Sequence, residues 1–170
     1  MDIGNAPRER NPLAPQDAQI VQQADVIMST GCIGYVTDRT YHALLSAMKH
    51  KPWVISFVLR MFPYEPMARV LAEHGLVTER LAGTTFAQRR FRDQDEFEHT
   101  LQVLHELGVS TEGVEAHGLF YAELYVSRPE ADVRAAPLSK IVTACSGQQR
   151  PVGPRYVMID AATPQIVLEP

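Results

Sequence analysis

Residues 24–59 decide the fold, and they read ADVIMSTGCIGYVTDRTYHALLSAMKHKPWVISFVL. Two continuous apolar runs, at 25–29 and 53–59, flank a loop of small residues and a segment with helical spacing. Apolar runs that are continuous rather than alternating are typical of strands buried on both faces of a parallel sheet. The pattern therefore predicts a βαβ unit, in which a right-handed crossover helix joins two parallel strands.

The segment between the two runs carries both a start signal and a stop signal for a helix. Thr37 is a suitable N-cap, and Asp38 falls in the predicted first turn, where the helix dipole favours negative charge. The basic run at 49–51 suits the other end of the helix, and Pro52 stops it. The apolar face of this predicted helix consists of Tyr41, Leu44, Leu45 and Met48.

Composition and charge set limits on the class of protein. The chain has 170 residues, a formal net charge of −4 and a pI near 5.8, which predicts one domain with little general affinity for nucleic acid or anionic membranes. Its two cysteines, Cys32 and Cys145, lie far apart in sequence and suit a reducing compartment. No apolar run approaches the ~20 residues of a membrane span, and the polar first residues do not resemble a secretion signal. We therefore expect a cytoplasmic protein with no nucleic-acid or membrane partner.

The chain divides into three regions. Residues 1–23 are expected to form an irregular arm and a short helix, 24–129 an α/β domain, and 130–170 a tail that contains a β-hairpin. The elements expected after residue 59 are, in order, a helix at 66–74, strands at 76–81 and 84–91, a helix at 93–107, a strand at 119–127 and hairpin strands at 155–160 and 165–169.

A metal site is not expected from the sequence. His99 and His105 are six residues apart on a predicted helix. Six helical steps rotate the side-chain direction by ~240°, so the two imidazoles diverge. The cysteines form no C-x-x-C motif, and the chain has no glycine-rich nucleotide motif.

Two other patterns have both a functional and a simpler interpretation. Cys32 could be the thiolate nucleophile of a hydrolase with a distant histidine, although a small residue after a buried strand is more often a packing residue. Arg89, Arg90 and Arg92 form a basic cluster that could bind phosphate. The simpler interpretation of this cluster is a solvated face with local ion pairs.

The loop after the first predicted strand is the position where a small molecule would bind. In open α/β sheets, ligands lie beyond the carboxyl ends of the strands. The alternative is a tight connection that requires small residues for steric reasons alone. The residues at this position are Ser29, Thr30, Gly31, Cys32 and Tyr35.

The segment 25–32, the turn at 49–52 and the run at 53–59 resemble the middle of a class I S-adenosylmethionine-dependent methyltransferase, a Rossmann-like family. That family has an acidic residue, three apolar residues and Ser or Asn in its fourth strand, then a helix that ends at a Lys-Pro-like turn and an apolar fifth strand. The resemblance covers 24–129 and implies a partial Rossmann-like, mostly parallel sheet with an antiparallel last strand and flanking helices.

The resemblance also implies a function and a site. The function is transfer of a methyl group from S-adenosylmethionine to an unknown acceptor, with no catalytic residue that the sequence can name. The residues expected beside the cofactor are Ser29, Thr30 and Gly31. Those expected to border the acceptor are Cys32, Tyr35, Arg60, Phe62 and Tyr64.

The chain departs from this family in one large respect. The family's sheet has the strand order 3-2-1-4-5-7-6, and its glycine-rich loop and ribose-binding acidic residue lie before the region matched here. Only 24 mostly polar residues precede Asp25, so we expect S-adenosylmethionine to bind only when the other half is supplied. The strand at 25–29 would then be an open apolar edge that pairs with a second copy or a complementing chain. The alternative function is a non-catalytic interaction module that uses the same edge.

Overall fold

A computed structural model describes residues 13–142 and the two hairpin strands at 155–160 and 163–167. Cys145 and the first 12 residues of the expected arm lie outside the described residues. The elements in chain order are α1 (Pro15–Val21), β1 (Val26–Thr30), α2 (Asp38–Ala47), β2 (Trp53–Leu59), α3 (Glu65–Glu73), β3 (Leu76–Arg80), β4 (Phe86–Arg90), α4 (Gln94–Glu106), a 3-10 turn (Glu115–His117), β5 (Leu119–Pro129), α5 (Glu130–Ala135), α6 (Leu138–Ile141), β6 (Arg155–Asp160) and β7 (Thr163–Val167).

The main sheet has five strands in the order β1-β2-β5-β3, and β4 also pairs with β5. β1 and β2 are parallel, with Val26 opposite Trp53, so the predicted βαβ unit is confirmed. β5 is antiparallel to β2, β3 and β4, so the other four strands share one direction. The predicted fold class, a partial Rossmann-like mostly parallel sheet with a reversed last strand, is therefore confirmed.

Two strands, β3 and β4, lie one after the other along β5 and together form the far edge of the sheet. β3 pairs with the C-terminal half of β5, where Arg80 lies opposite Tyr125, and β4 pairs with the N-terminal half, where Phe86 lies opposite Ala122. The strand expected at 84–91 is therefore present as β4 and lies at this edge of the sheet. The predicted C-terminal hairpin is also present, because β6 and β7 pair antiparallel.

One face of the sheet is covered by α2 and α3. Val54 and Val58 of β2 are fully buried against the apolar faces of these helices, which include Tyr41, Leu45 and Leu71. Thr37 occupies the N-cap position of α2 as expected, but its side chain makes no capping hydrogen bond. Gly75, in the left-handed conformation with φ of 74°, follows the C-cap of α3, where glycine commonly ends a helix.

The other face is covered only in part by the described residues. Leu138 of α6 packs on Leu124 and Val126 of β5. At the β1 end of this face Val26 is 48% exposed and Met28 is 63% exposed. β1 is also the outermost strand of the described sheet. An apolar face and an open strand edge therefore coincide at β1.

The basic cluster and the start of α4 form one set of local contacts. Asp93 caps α4 by accepting a hydrogen bond from the Glu96 backbone N–H at 2.9 Å, and the Glu96 carboxylate accepts a hydrogen bond from the Arg92 backbone N–H at 2.6 Å, one residue before the N-cap. Arg89 binds both carboxylate oxygens of Glu96 at 2.8 Å, and Arg92 pairs with Asp93. Hydrogen bonds from Arg89 lower the pKa of Glu96 to about 2. Two of the three arginines are thus paired locally, as the simpler interpretation of this cluster expected.

A buried arginine holds the segment after β5 against the sheet. The Arg128 side chain is 0% exposed, and its Nε and Nη2 donate to Glu79 Oε2 at 2.9 and 2.7 Å. Its remaining bonds go to the backbone carbonyls of Asp132 and Ala136. Trp53 lies beneath the guanidinium and donates its indole N–H to Asp132. No helix in the described part of the chain has the length and apolar character needed to cross a membrane.

Candidate functional site

Two loops meet at the carboxyl ends of the parallel strands β1 and β2. The first, at 31–37, turns at Gly31, which has φ of 62° and donates its N–H to Phe57 O at 3.0 Å. The second, at 60–64, contacts the first, because a Cβ built on Gly34 would lie 3.5 Å from Phe62 Cζ. The β1–α2 and β2–α3 connections are therefore adjacent, as a parallel pair requires.

The second loop forms one wall of a cleft with a volume of about 300 Å³. The other walls come from the last residues of β3, the middle of β5 and the end of α4. The lining is aromatic and aliphatic, with charged groups of both signs. It includes Arg60, Phe62, Tyr64, Glu65, Arg80, Leu107, Val109, Glu123 and Tyr125.

Arg60 is fixed by a buried ion pair at the end of β2. Its Nη1 donates to Glu115 Oε2 at 2.6 Å, and its Nη2 donates to Ser110 O at 2.9 Å. The two side chains are 11% and 1% exposed. Burial raises the pKa of the Glu115 carboxyl, and Arg60 opposes this rise without overcoming it. Arg60 Nε is buried and has no hydrogen-bond partner among the described residues.

A second ion pair, between Arg80 and Glu123, lies on the opposite wall of the cleft. Arg80 Nη1 donates to Glu123 at 2.8 Å, and the Tyr125 hydroxyl donates to the same carboxylate at 2.9 Å. Burial, and after it the hydrogen bond that the phenol donates to Glu123, raises the pKa of Tyr125 to about 12. The phenol is therefore neutral at physiological pH and serves as a hydrogen-bond donor to Glu123.

Beneath the two loops, four hydroxyl groups form a closed network. Ser56 accepts hydrogen bonds from Ser29 and Tyr64, each at 3.0 Å. A hydroxyl has one proton and two acceptor positions, so Ser56 must donate its own proton to Tyr41, 3.1 Å away. Tyr41 then donates to Ser29 at 3.1 Å and closes the ring. The network ties β1 and β2 to α2 and to the β2–α3 loop.

Replacing Tyr41 with phenylalanine is expected to lower the free energy of unfolding by ~1–3 kcal/mol, because the Ser56 proton would be left buried without an acceptor. Urea denaturation measures this loss. Tyr35→Phe makes the same chemical change at a side chain that is 89% exposed, and it should cost less than ~0.5 kcal/mol. Equal stability of the two variants would contradict the network.

The structure separates the residues predicted to lie beside the cofactor. Ser29 is buried, and its hydroxyl belongs to the network under α2. Thr30 is exposed, as the alternation of strand side chains requires for the next residue. Gly31 is exposed, and a Cβ built on it would meet no atom within 4 Å. Thr30 and Gly31 are thus open to a ligand, whereas the Ser29 side chain is engaged inside the protein.

The residues predicted to border the acceptor are partly brought together. Arg60, Phe62 and Tyr64 all line the cleft, although the Tyr64 hydroxyl points to Ser56 and burial raises its pKa. Cys32 is half-buried on the first loop. No hydrogen bond joins its thiol to a histidine anywhere in residues 13–142.

Sequence reasoning missed the residues that balance the charges of the cleft. A sequence signal was available for Glu123, which is a charged residue in the middle of the otherwise apolar run 119–126. Glu115 gave no signal, because it lies in an irregular segment between Gly113 and Gly118. Its role depends entirely on Arg60, which is 55 residues away in sequence.

No protein-family model matches the chain, and no curated protein matches it. Among the described residues, no group of three or more histidine, cysteine, aspartate or glutamate side chains is arranged to hold a metal ion. The arguments about function therefore rest on the topology and on the cleft.

Proposed function

We propose that this chain is the acceptor-side half of a class I S-adenosylmethionine-dependent methyltransferase-like domain. The observation that carries the proposal is the strand order β1-β2-β5-β3, with the reversed strand β5 between β2 and β3. Strands 4-5-7-6 of that family's sheet have the same order and the same reversed strand. In this correspondence, the exposed edge of β1 is the position where the family's first strand would pair.

The described residues fit one end of the cofactor. S-adenosylmethionine, when bound, supplies an electrophilic methyl group on a sulfonium centre. The open space at Gly31 and the exposed side chain of Thr30 leave room for that end of the molecule. The cleft beside Phe62 would hold the acceptor, and Arg60 and Glu123 would orient its polar groups. Catalysis would consist mainly of holding the acceptor in line with the methyl group.

The complementing half would be another polypeptide or an additional N-terminal segment. We expect the chain alone to give no saturable heat in a calorimetric titration with S-adenosylmethionine. A tagged chain purified from its own cells should bring with it a partner that pairs along β1, and this complex should retain tritiated S-adenosylmethionine. The tagged protein recovered from these cells should therefore be either a complex with a second polypeptide or a longer form of the chain. Recovery of the 170-residue chain alone, or of a complex or longer form that does not bind the cofactor, would overturn the proposal.

Two pairs of variants locate the partner and the cofactor. Met28→Lys places a charge on the β1 edge and should abolish both partner and cofactor binding. Val77→Lys, on the exposed opposite edge strand, is its control and should abolish neither.

The second pair tests the cofactor position. Gly31→Val should keep the partner but weaken cofactor binding. Gly83→Val is its control, since Gly83 has the same left-handed backbone and an equally open Cβ position in the β3–β4 turn.

A second function is favoured by the exposed apolar side chains of β1. Val26 and Met28 lie on an open strand edge, which suits an interaction module that pairs with a second copy of the chain. Sedimentation velocity separates the two functions. Self-association that Met28→Lys abolishes, in a protein that never binds S-adenosylmethionine, would favour the interaction module.

A further inference from the structure

Two histidines that are distant in sequence meet on the outer surface of the helical layer. His42 is on α2, and His74 is the C-cap residue of α3. His42 Nδ1 and His74 Nε2 are 3.0 Å apart, and the ring centroids are 5.0 Å apart with an interplanar angle of 61°. This pair lies on a different part of the chain from the loops and cleft described above.

The position of the pair is set by the hydrophobic core rather than by the histidines themselves. Tyr41 precedes His42 and is buried under α2, while Leu71 anchors the last turn of α3 in the same cluster. The backbones that carry the two imidazoles are therefore held by packing. A site of this kind requires little reorganisation when a ligand binds.

The distance between the two nitrogens suits a shared metal ion. Imidazole nitrogens bind Zn²⁺ at ~2.0–2.1 Å, so two of them are ~2.9 Å apart at a right angle and ~3.4 Å apart at the tetrahedral angle. The observed 3.0 Å lies within this range. Imidazole ligands favour late first-row transition metals over Mg²⁺ or Ca²⁺.

We propose that His42 and His74 chelate a divalent late transition-metal ion, such as Ni²⁺, Cu²⁺ or Zn²⁺, and thereby link α2 to α3. In the neutral pair one proton lies between the facing nitrogens. On metal binding it moves to the other nitrogen of its own ring, so both facing nitrogens donate a lone pair and no net proton is released. Because His42 is exposed, water completes the coordination. With two protein ligands, affinity in the micromolar range is expected.

Calorimetric titration of the untagged protein with nickel chloride tests the proposal. The wild type should bind about one ion per chain with micromolar affinity, and His42→Ala or His74→Ala should weaken this binding more than about tenfold. His99→Ala, at an exposed histidine of α4 outside the pair, should leave the binding unchanged. His74→Asn repeats the test with a polar side chain, in case alanine disturbs the end of α3.

A second measurement detects binding through protein stability rather than through the heat of binding. Only the folded state brings the two imidazoles together, so excess Ni²⁺ should raise the thermal midpoint of the wild type and of His99→Ala but not that of His42→Ala. The absence of any saturable site would overturn the proposal. The same conclusion would follow if binding and thermal stabilisation survived in the His42 and His74 variants.

Discussion

Replacing Arg128 with methionine is expected to lower the free energy of unfolding by about 3–5 kcal/mol, the usual cost of breaking a buried ion pair by removing one partner. The side chain is completely buried, and its loss would leave Glu79 without its cationic partner. It would also leave the carbonyls of Asp132 and Ala136 without this donor. Urea denaturation followed by far-UV circular dichroism measures the change.

Arg134→Met is the matched control for this effect. Arg134 pairs with Glu130 at 3.5 Å on the same segment, but both side chains are mostly exposed, so the expected loss is below ~0.5 kcal/mol. A double variant, Arg128→Met with Glu79→Leu, should recover part of the loss, since it removes the uncompensated carboxylate. A loss below ~1 kcal/mol for Arg128→Met alone would show that the contacts of this arginine do not hold α5 and α6.

The parallel pair of strands, β1 and β2, could be predicted from sequence because its signals are local and strong. The two continuous apolar runs, at 25–29 and 53–59, predicted a parallel pair, and the structure contains it. The N-cap at Asp93 and the glycine at Gly75 are signals of the same local kind, because each depends on residues within one turn of a helix end. The position of β5 between β2 and β3 followed from the family resemblance rather than from local signals.

The contacts that make up the site could be predicted only in part. Arg128 and Glu79 are 49 residues apart, and neither lies in a pattern that identifies its partner. Ser29 and Thr30 were expected to act together, but consecutive strand residues face opposite sides of a sheet. β1 extends to Thr30, so this alternation directs Ser29 into the core. The predicted strand 25–29 ended one residue before the observed end of β1 at Thr30.

Replacing Arg60 with leucine is expected to destabilise the protein in a manner that depends on pH. In the wild type, burial raises the pKa of Glu115 above its ordinary value of 4.5. The folded state therefore holds this proton more tightly than the unfolded state, and stability is lost as the pH rises from 4.5 through the folded pKa. Without the Arg60 charge the pKa should rise further, so this loss should continue to higher pH.

The deficit of Arg60→Leu relative to the wild type should therefore be small near pH 4.5 and reach ~3–5 kcal/mol near pH 8. Urea denaturation across this range measures it. Arg80→Leu, on the facing wall, removes a mostly exposed partner of Glu123, and it should cost less than ~1 kcal/mol at every pH in this range.

A double variant tests whether Glu115 is the source of the pH dependence. Adding Glu115→Gln to Arg60→Leu should make the stability deficit independent of pH, because the amide has no proton to lose. A constant deficit across the pH range would show that the Arg60 position contributes packing rather than charge, and orientation of an acceptor by its guanidinium would lose support.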